Sequence, residues 1–133
     1  MISKVQYLGS LRTESTHLAS GEKVITDAPI DNHGRGEAFS PTDMLANHLA
    51  TCMITVMGIY AENTGFSMEG TTASVHKVMA SNPRRVAAVE IDLQLPAGIP
   101  EKYRSKLEDI GLNCPVAKSL HPDLVQQVRI KYV

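Results

Sequence analysis

The sequence predicts an α+β domain, one unit over residues 1–133, and three observations carry that reading. Short β-biased runs separated by turn residues fill the first 26 positions. A long apolar helix with a clear start signal follows from Ser40. A hairpin pattern, two short helices and a closing strand then occupy the remainder. The length fits one ordinary domain, and 43% hydrophobic with 20% charged residues is the composition of a globular protein.

Lys4–Leu8, Leu11–Leu18 and Lys23–Thr26 are the first strand runs. Gly9-Ser10 and Ala19-Ser20-Gly21-Glu22 are the turn signals between them, so an antiparallel meander is expected. The polar stretch Asp31–Glu37, with Gly34 and Gly36, reads as a loop. Ser40-Pro41-Thr42-Asp43 then announces a helix: Ser40 suits the N-cap, Pro41 the first helical position, and Asp43 the acidic partner of a capping box. The helix is expected to run to about Asn63, with Asn63-Thr64-Gly65 as its stop.

From Met44 through Ala61 that helix holds no charged residue, 18 positions in all. The length raises a membrane span. Asn47, His48, Thr51, Thr55 and Gly58 inside the run, and the lack of a second such run, argue against one. A helix apolar on nearly all sides must be buried on all sides. A sheet covers one face, and a domain this small predicts a partner subunit over the other.

Gly70–Met79 and Arg85–Leu95, with Ser81-Asn82-Pro83 between them, form a β-hairpin pattern. Pro100–Ile110 is an amphipathic helix with Tyr103, Leu107 and Ile110 on one face, and Gly111 is expected to stop it. Asn113–Leu120 is a second short helix, and the alternating run Leu124–Val133 closes a sheet. A formal charge of −1 supplies no basic field for nucleic acid and no pull toward anionic membranes. The N-terminus alternates and lacks the apolar core of a signal peptide, so a cytoplasmic location is expected. In a reducing compartment the two cysteines, Cys52 and Cys114, are free, catalytic or metal-binding rather than a structural staple.

Those two thiols sit in different settings. Cys114 lies at or just before the first turn of its helix, where backbone N–H groups and the helix dipole favour a thiolate; the plainer reading is a small buried residue at a helix start. Cys52 lies mid-helix in apolar surroundings, which disfavour a charged sulfur, so it becomes reactive only if a cation is brought from elsewhere. Arg35, in the Gly-flanked loop before the helix, ranks first for that task and Arg12, on an early strand, is the reserve. His48 precedes Cys52 by one turn and shares its face. It reads as a base for the thiol, as part of a metal site with Cys52, Cys114 and His121, or more simply as a core or interface histidine. Asp43 is most simply the capping acid, with a role in orienting an arginine as the sharper alternative. No phosphate-binding glycine loop, serine-centred nucleophile motif or basic-aromatic stripe occurs.

At these residues the chain resembles the OsmC/Ohr family, the osmotically inducible protein C and organic hydroperoxide resistance proteins. The matching stretches are Phe39-Ser40-Pro41-Thr42-Asp43-Met44-Leu45 leading to Ala50-Thr51-Cys52, and Asn113-Cys114-Pro115-Val116-Ala117-Lys118-Ser119-Leu120. The resemblance implies an intertwined homodimer, antiparallel sheets wrapped around two long central buried helices, with thiol sites at the subunit interface. It implies thiol-dependent reduction of organic hydroperoxides. Cys52 matches the cysteine that attacks the peroxide, and Cys114 the one that resolves the product to a disulfide. A dithiol such as a lipoyl group is the implied reductant, with no cofactor and no metal. Active members of the family carry a Glu just after the motif proline, where it holds the activating Arg. Here Thr42 stands at that position with Asp43 next, so the chain is most similar to the broader OsmC-like branch. The alternative is a non-enzymatic dimer that binds a small apolar or electrophilic molecule in its interface pocket.

Overall fold

The computed structural model describes residues 1–133. In chain order the elements are β1 (Ser3–Gly9), β2 (Arg12–His17), β3 (Lys23–Asp27), a 3₁₀ turn (Ile30–Asn32), α1 (Pro41–Thr64), β4 (Thr72–Ala80), β5 (Arg85–Leu95), α2 (Glu101–Leu112), α3 (Pro115–Ser119) and β6 (Val125–Tyr132). They fall into two compact units, Met1–Leu45 and Ala46–Val133.

The first unit is the expected antiparallel meander, β1-β2-β3, with Tyr7 opposite Thr13 and Arg12 opposite Asp27. Its side chains are mostly uncovered: Val5, Tyr7 and Val24 are exposed, and Asp27 and Ser40 are the unit's only buried residues. The loop after β3 is compact because the chain passes over itself. Gly34 lies so close to Ala28 that a Cβ on it would fall 1.6 Å from the Ala28 carbonyl oxygen, and Gly36 follows at φ +62°. At the start of α1 the capping box forms as the residues demand. The Asp43 N–H donates to Ser40 Oγ at 3.1 Å and the Ser40 N–H donates to Asp43 Oδ2 at 2.9 Å.

The second unit holds the hydrophobic core. One face of α1 (Ala46, Leu49, Ala50, Met53, Met57, Ala61) packs with Val89, Ile91, Leu93 and Leu95 of β5 and Leu107 of α2. The helix ends at Thr64, and Gly65, at φ +98°, donates its N–H to the Ala61 carbonyl. By length and composition α1 could cross a membrane, yet its buried stripe is the centre of this core.

Two expectations are corrected. The second sheet, β4-β5-β6, is mixed rather than antiparallel: β4 and β5 pair as the hairpin, while β6 runs parallel to β5 because α2 and α3 carry the chain back to the start of the sheet. As expected, α1 is covered on one side only within one chain. Leu45, His48, Thr51, Thr55 and Ile59 line its exposed side, with Ile59 at 56% exposure. Gly111 does not stop α2 but lies inside it, buried, at the point where α2 meets α1.

The last strand is tied to α2 by Tyr132, whose hydroxyl donates to Glu108 at 2.9 Å while the Arg104 guanidinium sits 4.0 Å from its ring centroid.

Candidate functional site: a cysteine pair and a clamped arginine

Cys52 and Cys114 meet in the second unit. Both are free thiols; Cys52 is partly exposed on α1, and Cys114 is 1% exposed as the N-cap residue of α3. Cys52 packs against the core cluster that contains Cys114, near enough for the one thiol to act on the other. Pro115 occupies the first helical position, which leaves the Ala117 N–H to donate to Cys114 Sγ at 3.4 Å.

That geometry corrects the expectation that the helix start makes Cys114 the acidic thiol. Burial pushes its pKa up. The N–H groups of Ala117 and Val116 pull the other way, and the neighbouring Cys52 sulfur adds to the upward push. A five-residue helix has too little aligned backbone to overturn the cost of burial. Cys114 is therefore held as a neutral thiol close to Cys52, ready to respond to a change at that sulfur.

His48 shares the exposed side of α1 with Thr51, whose hydroxyl donates to the His48 carbonyl at 3.1 Å. His121 is exposed and its Nδ1 accepts the Asp123 N–H at 3.0 Å. The structure does not gather His48, Cys52, Cys114 and His121 into a group that could hold a metal ion.

In the first unit the two arginines differ sharply. Arg12 donates from Nε and Nη2 to the two carboxylate oxygens of Asp27 at 2.8 and 2.9 Å, and from Nη2 to Glu37 at 3.2 Å. Asp27 is 1% exposed and also accepts the Glu37 N–H at 3.2 Å. The Arg12 hydrogen bonds hold the Asp27 carboxyl below the usual carboxylate range against the opposing cost of desolvation. Arg35 lies exposed in the loop and reaches Asp27 only through its charge. Thr42 is half-buried with its hydroxyl 3.2 Å from Ser40 Oγ, and Asp43 serves the helix cap. Beside Glu37 an open cleft of about 360 Å³ is walled by Ile25, Ala38 and Phe39, with Asp43 at its edge.

Sequence reasoning missed Asp27 and Glu37. The signal was present: a strand extended one residue past Thr26 sets an acid directly across from Arg12 in an antiparallel register.

With this geometry in hand, similarity to known proteins is informative. The family model for OsmC-like protein matches residues 34–128, which include both cysteines and the capped helix start. The chain belongs to the OsmC-like family. Among solved structures, a candidate osmotic stress induced and detoxification response protein from Psychrobacter arcticus is 50% identical, covers 98% of this chain and 96% of its own, and has a TM-score of 0.94. An organic hydroperoxide resistance protein OsmC from Legionella pneumophila is 15% identical, covers 100% of this chain and 98% of its own, and has a TM-score of 0.75. A candidate organic hydroperoxide resistance protein from Vibrio cholerae, with captopril bound in one of its active sites, is 11% identical, covers 96% of this chain and 90% of its own, and has a TM-score of 0.73. The latter two share the fold. No curated protein matches the chain. In this OsmC-like chain, then, the family's fold carries a cysteine pair and an arginine whose carboxylate partners, Asp27 and Glu37, lie outside the helix-start motif.

Proposed function

We propose that this OsmC-like chain is a thiol-dependent reductase of organic hydroperoxides. The observation that carries the reading is the partly exposed Cys52 thiol within reach of the buried Cys114 thiol. The Cys52 thiolate attacks the terminal oxygen of the hydroperoxide. An S–O bond forms, the O–O bond breaks, and the alkoxide leaves with a proton as the alcohol. The Cys114 sulfur then attacks the sulfenic acid at Cys52. The S–S bond forms and the hydroxyl leaves as water. A small dithiol, such as a lipoyl group, returns both residues to thiols by exchange.

Arg12 is the cation proposed to support the Cys52 thiolate, ahead of Arg35, because its guanidinium is held by three hydrogen bonds whereas Arg35 lies exposed in a loop. The cleft walled by Ile25, Ala38 and Phe39 suits an apolar organic group. His48, Thr42 and Asp43 take supporting places around the helix start.

A homodimer belongs to the same proposal, with the two units of each chain forming one OsmC-like domain in the cytoplasm. The uncovered side of α1, which carries no charged residue from Leu45 to Ile59, supports it. So does a meander that buries only Asp27, since a three-stranded sheet needs a covered apolar face to persist.

The test is consumption of cumene hydroperoxide by the reduced protein, compared with hydrogen peroxide. The organic peroxide is expected to react faster and to leave a Cys52–Cys114 disulfide detectable by mass. Undiminished consumption by Cys52→Ser would overturn the reading. The second reading, a non-enzymatic dimer that binds a small apolar or electrophilic molecule, draws on Thr42 standing where active members have Glu. Slow, unselective oxidation by both peroxides would favour it.

A further inference from the structure

We infer that the cleft between the β4–β5 turn and the start of β6 binds a small organic carboxylate with an apolar body. The cleft contains neither cysteine, and its assignment does not depend on the peroxidase reading. The parallel pairing of β6 with β5 creates it. Val125, the first residue of β6, stands opposite Ala88 near the start of β5, which brings His121–Leu124 beside the hairpin turn over residues 81–84. An antiparallel β6 would have brought its other end there. Between the two segments lies a cleft of about 520 Å³, within the usual size of small-ligand sites.

Pro83, Val86 and Leu124 give the cleft its apolar lining, and Arg85 and His121 are its donors. Arg85 is anchored without being neutralised. Its Nη1 donates to the carbonyls of Ser81 and Pro83 at 3.1 and 2.9 Å, which holds the guanidinium on the turn. Arg12 faces Asp27 and Arg129 faces Asp92, whereas no carboxylate pairs with Arg85. Its Nε and Nη2 remain to donate to a ligand. The His121 Nδ1 accepts the Asp123 N–H at 3.0 Å, so the proton of the neutral ring sits on Nε2 and makes that atom a donor.

Charge selects among ligands. Asp123 also lines the cleft, with its Oδ2 3.8 Å from His121 Nδ1. A phosphate dianion would meet that negative charge and an apolar wall, while an amine would meet the unneutralised Arg85. A single carboxylate presents two oxygens to the two donors and carries an apolar chain for the lining.

The test is a titration of the ¹⁵N-labelled, reduced, full-length protein with hexanoate, hexan-1-ol and hexylamine, followed by amide shifts. Hexanoate is expected to give saturable shifts in Asn82, Arg84–Val86, His121 and Asp123–Leu124, and to bind at least about tenfold more tightly than the alcohol or the amine. Arg85→Gln is expected to weaken hexanoate about tenfold, the value of one charge-assisted hydrogen bond. Because Arg85 also anchors the turn, His121→Asn is the second variant. Its side-chain carbonyl can accept the Asp123 N–H, but the Nε2 donor is gone, so binding is expected to weaken. Asp123→Asn removes the opposing charge and is expected to tighten it. Hexanol binding as tightly as hexanoate overturns the inference, as do shifts centred on Cys52 and Cys114. So does an affinity for hexanoate that is unmoved in a folded Arg85→Gln or in His121→Asn, or that falls in Asp123→Asn.

Discussion

Gly111 of α2 faces Met57 of α1 so closely that a Cβ on the glycine would fall 2.6 Å from the Met57 sulfur and 3.0 Å from its Cγ. The two helices approach at the one position where α2 carries no side chain. Gly111→Ala gains helix propensity but overpacks a core in which Met57 is 0% exposed. The net expectation is a loss of about 1–3 kcal/mol, read from the urea midpoint at unchanged slope. Shortening the neighbour should restore part of the loss, so Met57→Val combined with Gly111→Ala is expected to be more stable than the two single effects summed. Strict additivity would mean that the contact is not the cause.

The capping box makes a second prediction. Ser40 is buried, and its hydroxyl accepts the Asp43 N–H while Asp43 accepts the Ser40 N–H. Ser40→Ala strands the Asp43 N–H and is expected to cost about 0.5–2 kcal/mol, with Ser40→Thr retaining most of the stability. Thermal unfolding monitored at a helix wavelength checks both. Equal melting temperatures for the Ala and Thr variants would deny the cap its role.

How far the residues foretold this structure depends on whether the signal was local. The meander, the capped helix and the hairpin were legible because turn glycines, Ser40-Pro41 and β-branched runs act within a few positions. Gly111 was misread because a glycine after an amphipathic run ordinarily ends a helix, and only the approach of Met57, from 54 positions earlier, shows otherwise. The parallel pairing of β6 with β5 was likewise hidden, since alternation in Val125–Tyr132 fixes which face is buried but not the direction of the strand. At the candidate site the two cysteines were evident from composition. Their mutual approach, and the claim of Asp27 on Arg12, arise from packing that no local pattern encodes.

The thiols themselves should react in a fixed order. Cys52 is partly exposed, whereas Cys114 is sealed at the α3 cap with its pKa pushed up by burial. Brief treatment of the reduced native protein with iodoacetamide near neutral pH is therefore expected to label Cys52, with Cys114 labelled only after unfolding or at markedly higher pH. Peptide mass mapping reads the order directly. Preferential labelling of Cys114 would show that burial does not govern it.

Acid should expose the contribution of Asp27. A carboxylate whose folded pKa lies below its unfolded value, about 3.9, contributes stability that is present in full above that value and is lost as pH falls through the lower folded one. Asp27 is such a group, held down by its Arg12 hydrogen bonds, and Asp92 is another, held down by Arg129. The Asp92 pair lies on the surface, with Arg129 71% exposed, so salt and solvent screen most of its contribution. The melting temperature is therefore expected to hold steady from neutral pH to about pH 5, then to fall as the pH drops below 4. Asp27→Asn should melt lower than the wild type at pH 7, and its further decline on acidification should be smaller. Asp92→Asn should change the acid limb little. Melting curves at pH 7, 5 and 3 decide the matter: an acid limb that keeps its full depth in Asp27→Asn would show that the buried pair is not what protonation breaks.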